Sequence, residues 1–109
     1  MKTLKQIEWK GTSKADISDF PIAARKVAGT DLMRLQSGLK PKNGKPFKSI
    51  GANVFEIKIK LKSGAYRVMY CTKVKDSIIV LHCFEKKSQK TSKRDIDIAK
   101  QRYKTIRKK

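Results

Sequence analysis

Lys58, Lys60 and Lys62 alternate with Phe55, Ile57, Ile59 and Leu61 in the run Phe55-Glu56-Ile57-Lys58-Ile59-Lys60-Leu61-Lys62, and Arg67 follows just past Ser63-Gly64. Successive side chains of a β-strand point to opposite faces, so the run predicts one hydrocarbon face and one face lined with ammonium groups. Cations fixed on a sheet can hold a phosphodiester in a defined geometry, which a basic tail cannot do. One chemistry open to such a row is metal-free cleavage of RNA. There the 2′-hydroxyl attacks the adjacent phosphorus in line. A catalyst must take the proton from that oxygen, neutralise the charge growing on the phosphate and protonate the departing 5′ oxygen. Arg67 suits the phosphate, because its planar fork spans two oxygens. Crowding two cations on one face favours the loss of a proton from one of them, which makes Lys58 or Lys60 a candidate base. A magnesium route needs convergent carboxylates, and this strand face offers only Glu56, so neither metal nor cofactor is expected.

Each of these residues also has a plainer reading. A lysine-rich strand face is the ordinary solvated side of a one-sided antiparallel sheet. Glu56 can simply pair with a neighbouring lysine, an interaction worth little at a surface. His82 is the only histidine and titrates near neutrality, which makes it a candidate acid or base. Its alternation with Ile78, Val80 and Phe84 equally fits a packed or hydrogen-bonded core histidine. Lys45, Lys48, Lys62, Lys86, Lys90, Lys93 and Arg94, together with Lys40, Lys42 and the closing Arg107-Lys108-Lys109, fit contacts to a nucleic-acid backbone better than chemistry. Such contacts give salt-sensitive affinity without base specificity.

Composition agrees with a polyanion partner. The chain of 109 residues carries 28 Lys and Arg against 9 Asp and Glu, a formal charge of +19. A surplus of that size destabilises the compact state by self-repulsion unless a partner of opposite charge relieves it. Residues 40–109 hold 21 of the basic and 5 of the acidic side chains, so the charge is concentrated in the second part of the chain. Length and a 39% apolar content fit one domain with one core, spanning residues 1–109. Two cysteines, Cys71 and Cys83, sit in apolar strand-like runs and do not form the dense framework of a small secreted protein. Met1-Lys2-Thr3-Leu4-Lys5 has no apolar stretch behind it, and no run approaches the ~20 apolar residues of a membrane span. A reduced, cytoplasmic protein with no membrane partner is the expectation.

The elements that must carry the lysine row follow from periodicity. Thr3 to Trp9 fits a short edge strand. Thr12 or Ser13 with Asp16 resembles a capping box opening a helix that ends near Phe20-Pro21. From Pro21, Ala24, Val27, Ala28, Leu32, Leu35 and Leu39 recur at three- and four-residue steps, which predicts a second helix with Gly38 near its end. Lys40 to Gly51 is too rich in Pro, Gly and Asn for regular structure. Three strands follow, Asn53–Lys62, Ala65–Lys73 and Ser77–Phe84, joined so tightly that they must form an antiparallel meander. Ser92 with Asp95 caps a last helix whose Ile96, Ala99, Tyr103 and Ile106 lie on one stripe, so Tyr103 reads as core.

Three stretches, in order and with two helices before them, carry a family resemblance: Val54-Phe55-Glu56-Ile57-Lys58, Tyr66-Arg67-Val68-Met69-Tyr70, and Leu81-His82-Cys83-Phe84-Glu85-Lys86-Lys87-Ser88-Gln89-Lys90-Thr91. Together they resemble the phage-derived, HigB-like branch of the RelE/ParE toxin superfamily over nearly the whole chain. The resemblance implies a RelE-like α+β fold. In it a small antiparallel sheet, an N-terminal strand plus the three-stranded meander, is packed by two N-terminal helices and followed by a C-terminal helix. It also implies a type II toxin, an endoribonuclease that cuts messenger RNA at the ribosome and is silenced by a cognate antitoxin. In such toxins a pair of strand lysines and the following arginine are catalytic, and Lys58, Lys60 and Arg67 match that spacing. A further basic residue just after the last strand binds phosphate or protonates the leaving group there. Lys86 or Lys87 falls in that place, with Lys87 the catalytic candidate and Lys86 an RNA contact. Some relatives add a C-terminal aromatic that stacks on RNA, and this chain has none between Phe84 and Tyr103. The implied antitoxin carries acidic or apolar contact segments and a helix-turn-helix, so operator DNA is reached only through it. Two rivals stay open: a ParE-like gyrase poison, which would not need the Lys58, Lys60, Arg67 arrangement, and a non-catalytic basic RNA-binding module.

Overall fold

The computed structural model describes residues 4–106; Thr3 and the closing Arg107-Lys108-Lys109 lie outside the described residues. The chain runs β1 (Gln6–Trp9), α1 (Ser13–Ser18), α2 (Ile22–Gln36), β2 (Gly44–Pro46), β3 (Val54–Leu61), β4 (Gly64–Cys71), β5 (Ser77–Lys86) and α3 (Lys93–Lys104). The strands form one sheet in the order β1-β5-β4-β3-β2. The meander β3-β4-β5 is antiparallel, as its two short connections require. Two features depart from the sequence reading. β1 pairs with β5 in parallel, Gln6 opposite Ser77 through Trp9 opposite Val80, so the sheet is antiparallel only from β2 to β5. Within the stretch read as irregular, Gly44–Pro46 adds a short strand to β3. Pro46 is tolerated there because an edge strand has no outer neighbour waiting for its missing N–H.

Alternation along the strands divides the core between two faces. On one, Ile57, Ile59, Val68, Tyr70, Ile78 and Val80 meet Phe20, Ala24, Ala28, Leu32 and Leu35 of the α1–α2 layer. On the other, Val54, Met69, Cys71, Ile79 and Leu81 meet Ala99 of α3, with Ile96 and Tyr103 packed alongside. Each fully buried aliphatic side chain contributes about 1.5–3 kcal/mol. Both cysteines are free and buried, and burial pushes the Cys83 thiol up to about 12, which fits core residues.

The helices begin and end for local reasons. The Ser92 hydroxyl accepts the Asp95 N–H at 3.1 Å, the expected cap of α3. Thr12 occupies the N-cap position of α1, but its hydroxyl donates to the Asp16 carboxylate at 2.7 Å and accepts no backbone N–H. α2 stops at Gln36, and Gly38 turns the chain at φ +81°, so Leu39 lies beyond the helix and is exposed. Gly29 sits on the exposed side of α2, and a Cβ added there meets nothing within 4 Å. Gly29→Ala is therefore expected to raise stability by about 1 kcal/mol through helix propensity, read as a higher urea midpoint with an unchanged slope.

Candidate functional site

Register decides which side chains share a face. Across β3 and β4, Lys58 lies opposite Arg67 and Lys60 opposite Ala65; across β4 and β5, Arg67 lies opposite Phe84 and Ala65 opposite Lys86. Residues directly opposite one another point the same way. Three rows therefore cross the sheet on the α3 side: Glu56-Met69-His82, Lys58-Arg67-Phe84 and Lys60-Ala65-Lys86. α3 covers the Val54 and Cys71 end of this face. Toward the other end Lys58 and Lys86 are half-buried and Lys60 is exposed, and the small Ala65 forms a floor between two lysines. The strand pattern thus brings Lys58, Lys60 and Arg67 together. It selects Lys86 over Lys87 as the basic residue of β5 on that face, because Lys87 follows the end of the strand and is exposed.

Arg67 is the anchor. It is only 8% exposed, its Nη1 donates to the Tyr66 carbonyl at 3.1 Å, and its Nε lies 3.7 Å from Oε2 of Glu56. That distance makes an ion pair but is too long for a hydrogen bond, and Nε and Oε2 are both buried without a hydrogen-bond partner. Glu56, read from the sequence as a surface partner for a lysine, is buried and paired with Arg67 instead. Like charges facing one another, Lys58 against Arg67, are destabilising by themselves, and the Glu56 carboxylate beside Arg67 offsets them.

His82 reaches this face through a β-bulge. The register shifts between Met69 and Tyr70, so Val80 opposes Tyr70 while His82 opposes Met69. The simple alternation of His82 with Ile78 and Val80 is broken there, because the extra residue of a bulge turns the rest of the strand to the other face. Its Nε2 lies 2.7 Å from Oδ1 of Asp95, its Nδ1 is buried without a partner, and its ring stacks on Phe84 at 4.8 Å. With Nε2 taken and Nδ1 buried, His82 offers no free nitrogen to a bound phosphodiester. Of its two readings the geometry matches the packed, hydrogen-bonded one, a link between β5 and α3.

Burial is the largest influence on His82 and lowers its proton affinity; Asp95 raises it, Arg102 lowers it and Asp16 raises it, and the net shift is downward. An unfolded histidine titrates near ~6.5. Below that the unfolded chain binds more protons than the folded one, so this contribution to stability is complete above about pH 6.5 and declines as the pH falls toward the lowered folded value. The stability advantage of the native chain over His82→Gln should shrink on acidification from pH 7.5 to 5 in urea titrations; an advantage that grows would reverse the sign.

The other candidate RNA contacts, Lys45, Lys48, Lys62, Lys90, Lys93 and Arg94, are all exposed. Lys45 sits opposite Glu56 on β2, Lys62 lies in the β3–β4 turn, and Lys93 and Arg94 open α3. Two cations at a helix N-terminus oppose its dipole, which an external anion would relieve. Tyr103, read as core, is half-buried, and its hydroxyl donates to the Ala52 carbonyl at 3.0 Å.

Asp31 and Asp95 went unread in the sequence as supports of this region. Asp31 is 1% exposed and accepts the backbone N–H groups of Lys42 (2.9 Å) and Asn43 (3.0 Å), while the Asn43 carbonyl accepts the Lys58 N–H at 2.9 Å. An aspartate inside the apolar stripe of α2 was the available signal. On the opposite, α2 side of the sheet a groove of about 420 Å³ opens among Leu35, Leu39, Pro41, Phe55 and Tyr70, and none of Lys58, Lys60, Arg67 and Lys86 lines it. Among the described residues no three His, Cys, Asp or Glu side chains are grouped to hold a metal ion, and no helix is long and apolar enough to cross a membrane.

The model of one protein family, described as phage derived protein Gp49-like (DUF891), matches residues 15–104. Among solved structures, a chain of the toxin-antitoxin complex RelBE2 from Mycobacterium tuberculosis is similar with a TM-score of 0.51 at 18% identity, over 76% of this chain and 99% of that one. The two share a fold. No curated protein matches.

Proposed function

The chain belongs to the phage-derived Gp49-like family, and from that premise we propose that it is the RelE-like toxin of a type II toxin-antitoxin pair, cutting messenger RNA at the ribosome without a metal. The observation that carries the reading is the row on the open face: Arg67 directly opposite Lys58, with Lys60 and Lys86 one step away across Ala65. A scissile phosphate seated over Ala65 and Arg67 has its charge met by the guanidinium. Lys58 or Lys60 accepts the proton of the 2′-hydroxyl as that oxygen attacks phosphorus, and Lys86, with Lys87 beside it, protonates the departing 5′ oxygen. Positioned proton transfer and charge stabilisation each contribute about 10²–10³-fold, so three or four groups suffice for an RNase of this kind. The partner reading follows from charge and from the solved relative, which is a chain of a toxin-antitoxin complex. A cognate antitoxin with acidic or apolar segments neutralises the +19 chain and carries the helix-turn-helix that reaches operator DNA. The place of action is the cytoplasm, where ribosomes and messenger are found.

The purified protein, incubated with ribosomes programmed with a defined messenger, should cut it equally well after ribosomes and enzyme are mixed with a chelator at a level that leaves ribosomes intact. The products should carry a 2′,3′-cyclic phosphate and a 5′-hydroxyl, and a single 2′-deoxy substitution at the cut should abolish cleavage. Products with a 5′-phosphate, or a messenger bound but never cut, would rule the mechanism out.

A further inference from the structure

Glu56 is the one carboxylate that β3, β4 and β5 place on the face carrying Lys58, Lys60, Arg67 and Lys86, and cleavage by those four groups gives it no task. It is 6% exposed, and around it stand Lys45 directly opposite on β2, Lys58 two residues on, and Arg67 at 3.7 Å. We propose that Glu56 is a positioning residue for RNA cleavage, holding the Arg67 guanidinium in the single orientation that receives the scissile phosphate. This rests on the reading of the basic face as an RNA-cleaving site.

Two contacts and burial fix that orientation. Nη1 donates to the Tyr66 carbonyl, the Glu56 carboxylate draws Nε, and both Nε and Oε2 are shut off from solvent. The opposing force is the Lys58 ammonium on the facing strand position, which repels Arg67. Glu56 balances it, so that two like charges stay side by side and aim at one phosphate. Because the Glu56 contact is an ion pair without a hydrogen bond, the guanidinium keeps room to close on the phosphate as charge grows there. The same carboxylate repels the phosphate before the reaction starts. Glu56 thus weakens binding of the ground state and strengthens that of the transition state, which is the combination that accelerates a chemical step.

The signature is a joint fall of kcat and KM. Loss of a plain structural residue lowers the active fraction and leaves KM alone, and loss of a substrate contact raises KM. Glu56→Gln, which keeps shape and removes charge, should slow single-turnover cleavage about tenfold and tighten the Kd for a 2′-deoxy, uncleavable RNA about threefold. On an Arg67→Ala background the same substitution should slow cleavage no further, because its effect passes through Arg67. Circular dichroism and a urea titration check that each variant is folded. An unchanged or weaker Kd, or full additivity with Arg67→Ala, overturns the proposal. So does a rate loss accompanied by disappearance of the acid limb of the pH-rate profile, which would make Glu56 the proton acceptor itself. If the wild-type protein cuts no RNA, the cleavage reading fails separately. The positioning claim is then judged by the Arg67 Nε–H resonance in NMR spectra, which should be sharp in the wild type and shifted and broadened in Glu56→Gln; an unmoved resonance sinks it.

Discussion

Arg67→Ala should lower RNA cleavage by about 10²–10³-fold and abolish growth arrest on expression, since one fixed donor to a phosphate in its transition state is worth that much. The single substitution also has a second effect. Arg67 is buried beside Glu56, and removing one member of a buried ion pair leaves an uncompensated charge that costs about 3–5 kcal/mol. A domain of this size has only about 5–15 kcal/mol of stability, so lost activity alone could reflect lost folding. Replacing both partners separates the two. Arg67→Met with Glu56→Leu removes the pair as a unit, and hydrophobic residues of similar volume in place of a buried pair are neutral or stabilising by about 1–4 kcal/mol. The double variant should therefore melt at or above the wild-type temperature and still be inactive. A folded double variant that cleaves within twofold of the wild type would remove Arg67 from the site.

The parts of this arrangement that were legible in the sequence are those fixed by local periodicity. Phe55, Ile57, Ile59 and Leu61 fall on the α1–α2 side of the sheet and Lys58 and Lys60 on the other, as strict alternation over eight residues of β3 requires. The tight β3–β4 connection then fixes the register that sets Lys58 opposite Arg67. What was not legible depends on features with no local signature. A strand pattern carries no direction, so the parallel pairing of β1 with β5 is decided only by the path of the chain. One extra residue in β5 moves His82 from the face of Val80 to that of Arg67, and its neighbours look alike in either register. Glu56 looked like a solvated partner for lysines because burial of a charge on a cationic face is a property of the assembled sheet. Lys86 and Lys87 were interchangeable until the end of β5 was known.

Asp31→Ala is expected to cost about 3 kcal/mol, because hydrogen bonds to a carboxylate contribute about 1.5–3 kcal/mol each and do not add fully. Three are lost: those from the Lys42 and Asn43 backbone and from the Asn43 side-chain amide at 3.1 Å. Burial and the same carboxylate push the Tyr70 hydroxyl up to about 12, so the Tyr70 titration should also move down. Asp31→Asn keeps one carbonyl acceptor but turns an amide donor toward an N–H, and it should fall between alanine and the wild type. The effect reaches the site through one bond. Asn43, once released, no longer holds its carbonyl against the Lys58 N–H, and that bond continues the β2 pairing up to the catalytic candidate. Local opening of a strand edge exposes individual amides without global unfolding. Hydrogen exchange at the Lys58 amide should accelerate in Asp31→Ala by more than the drop in global stability predicts, while Val68 in the middle of the sheet follows the global value. Cleavage should fall with it even at temperatures where the variant is fully folded. If the Lys58 amide instead tracks global stability alone, Asp31 is a support of the fold and not of the lysine row.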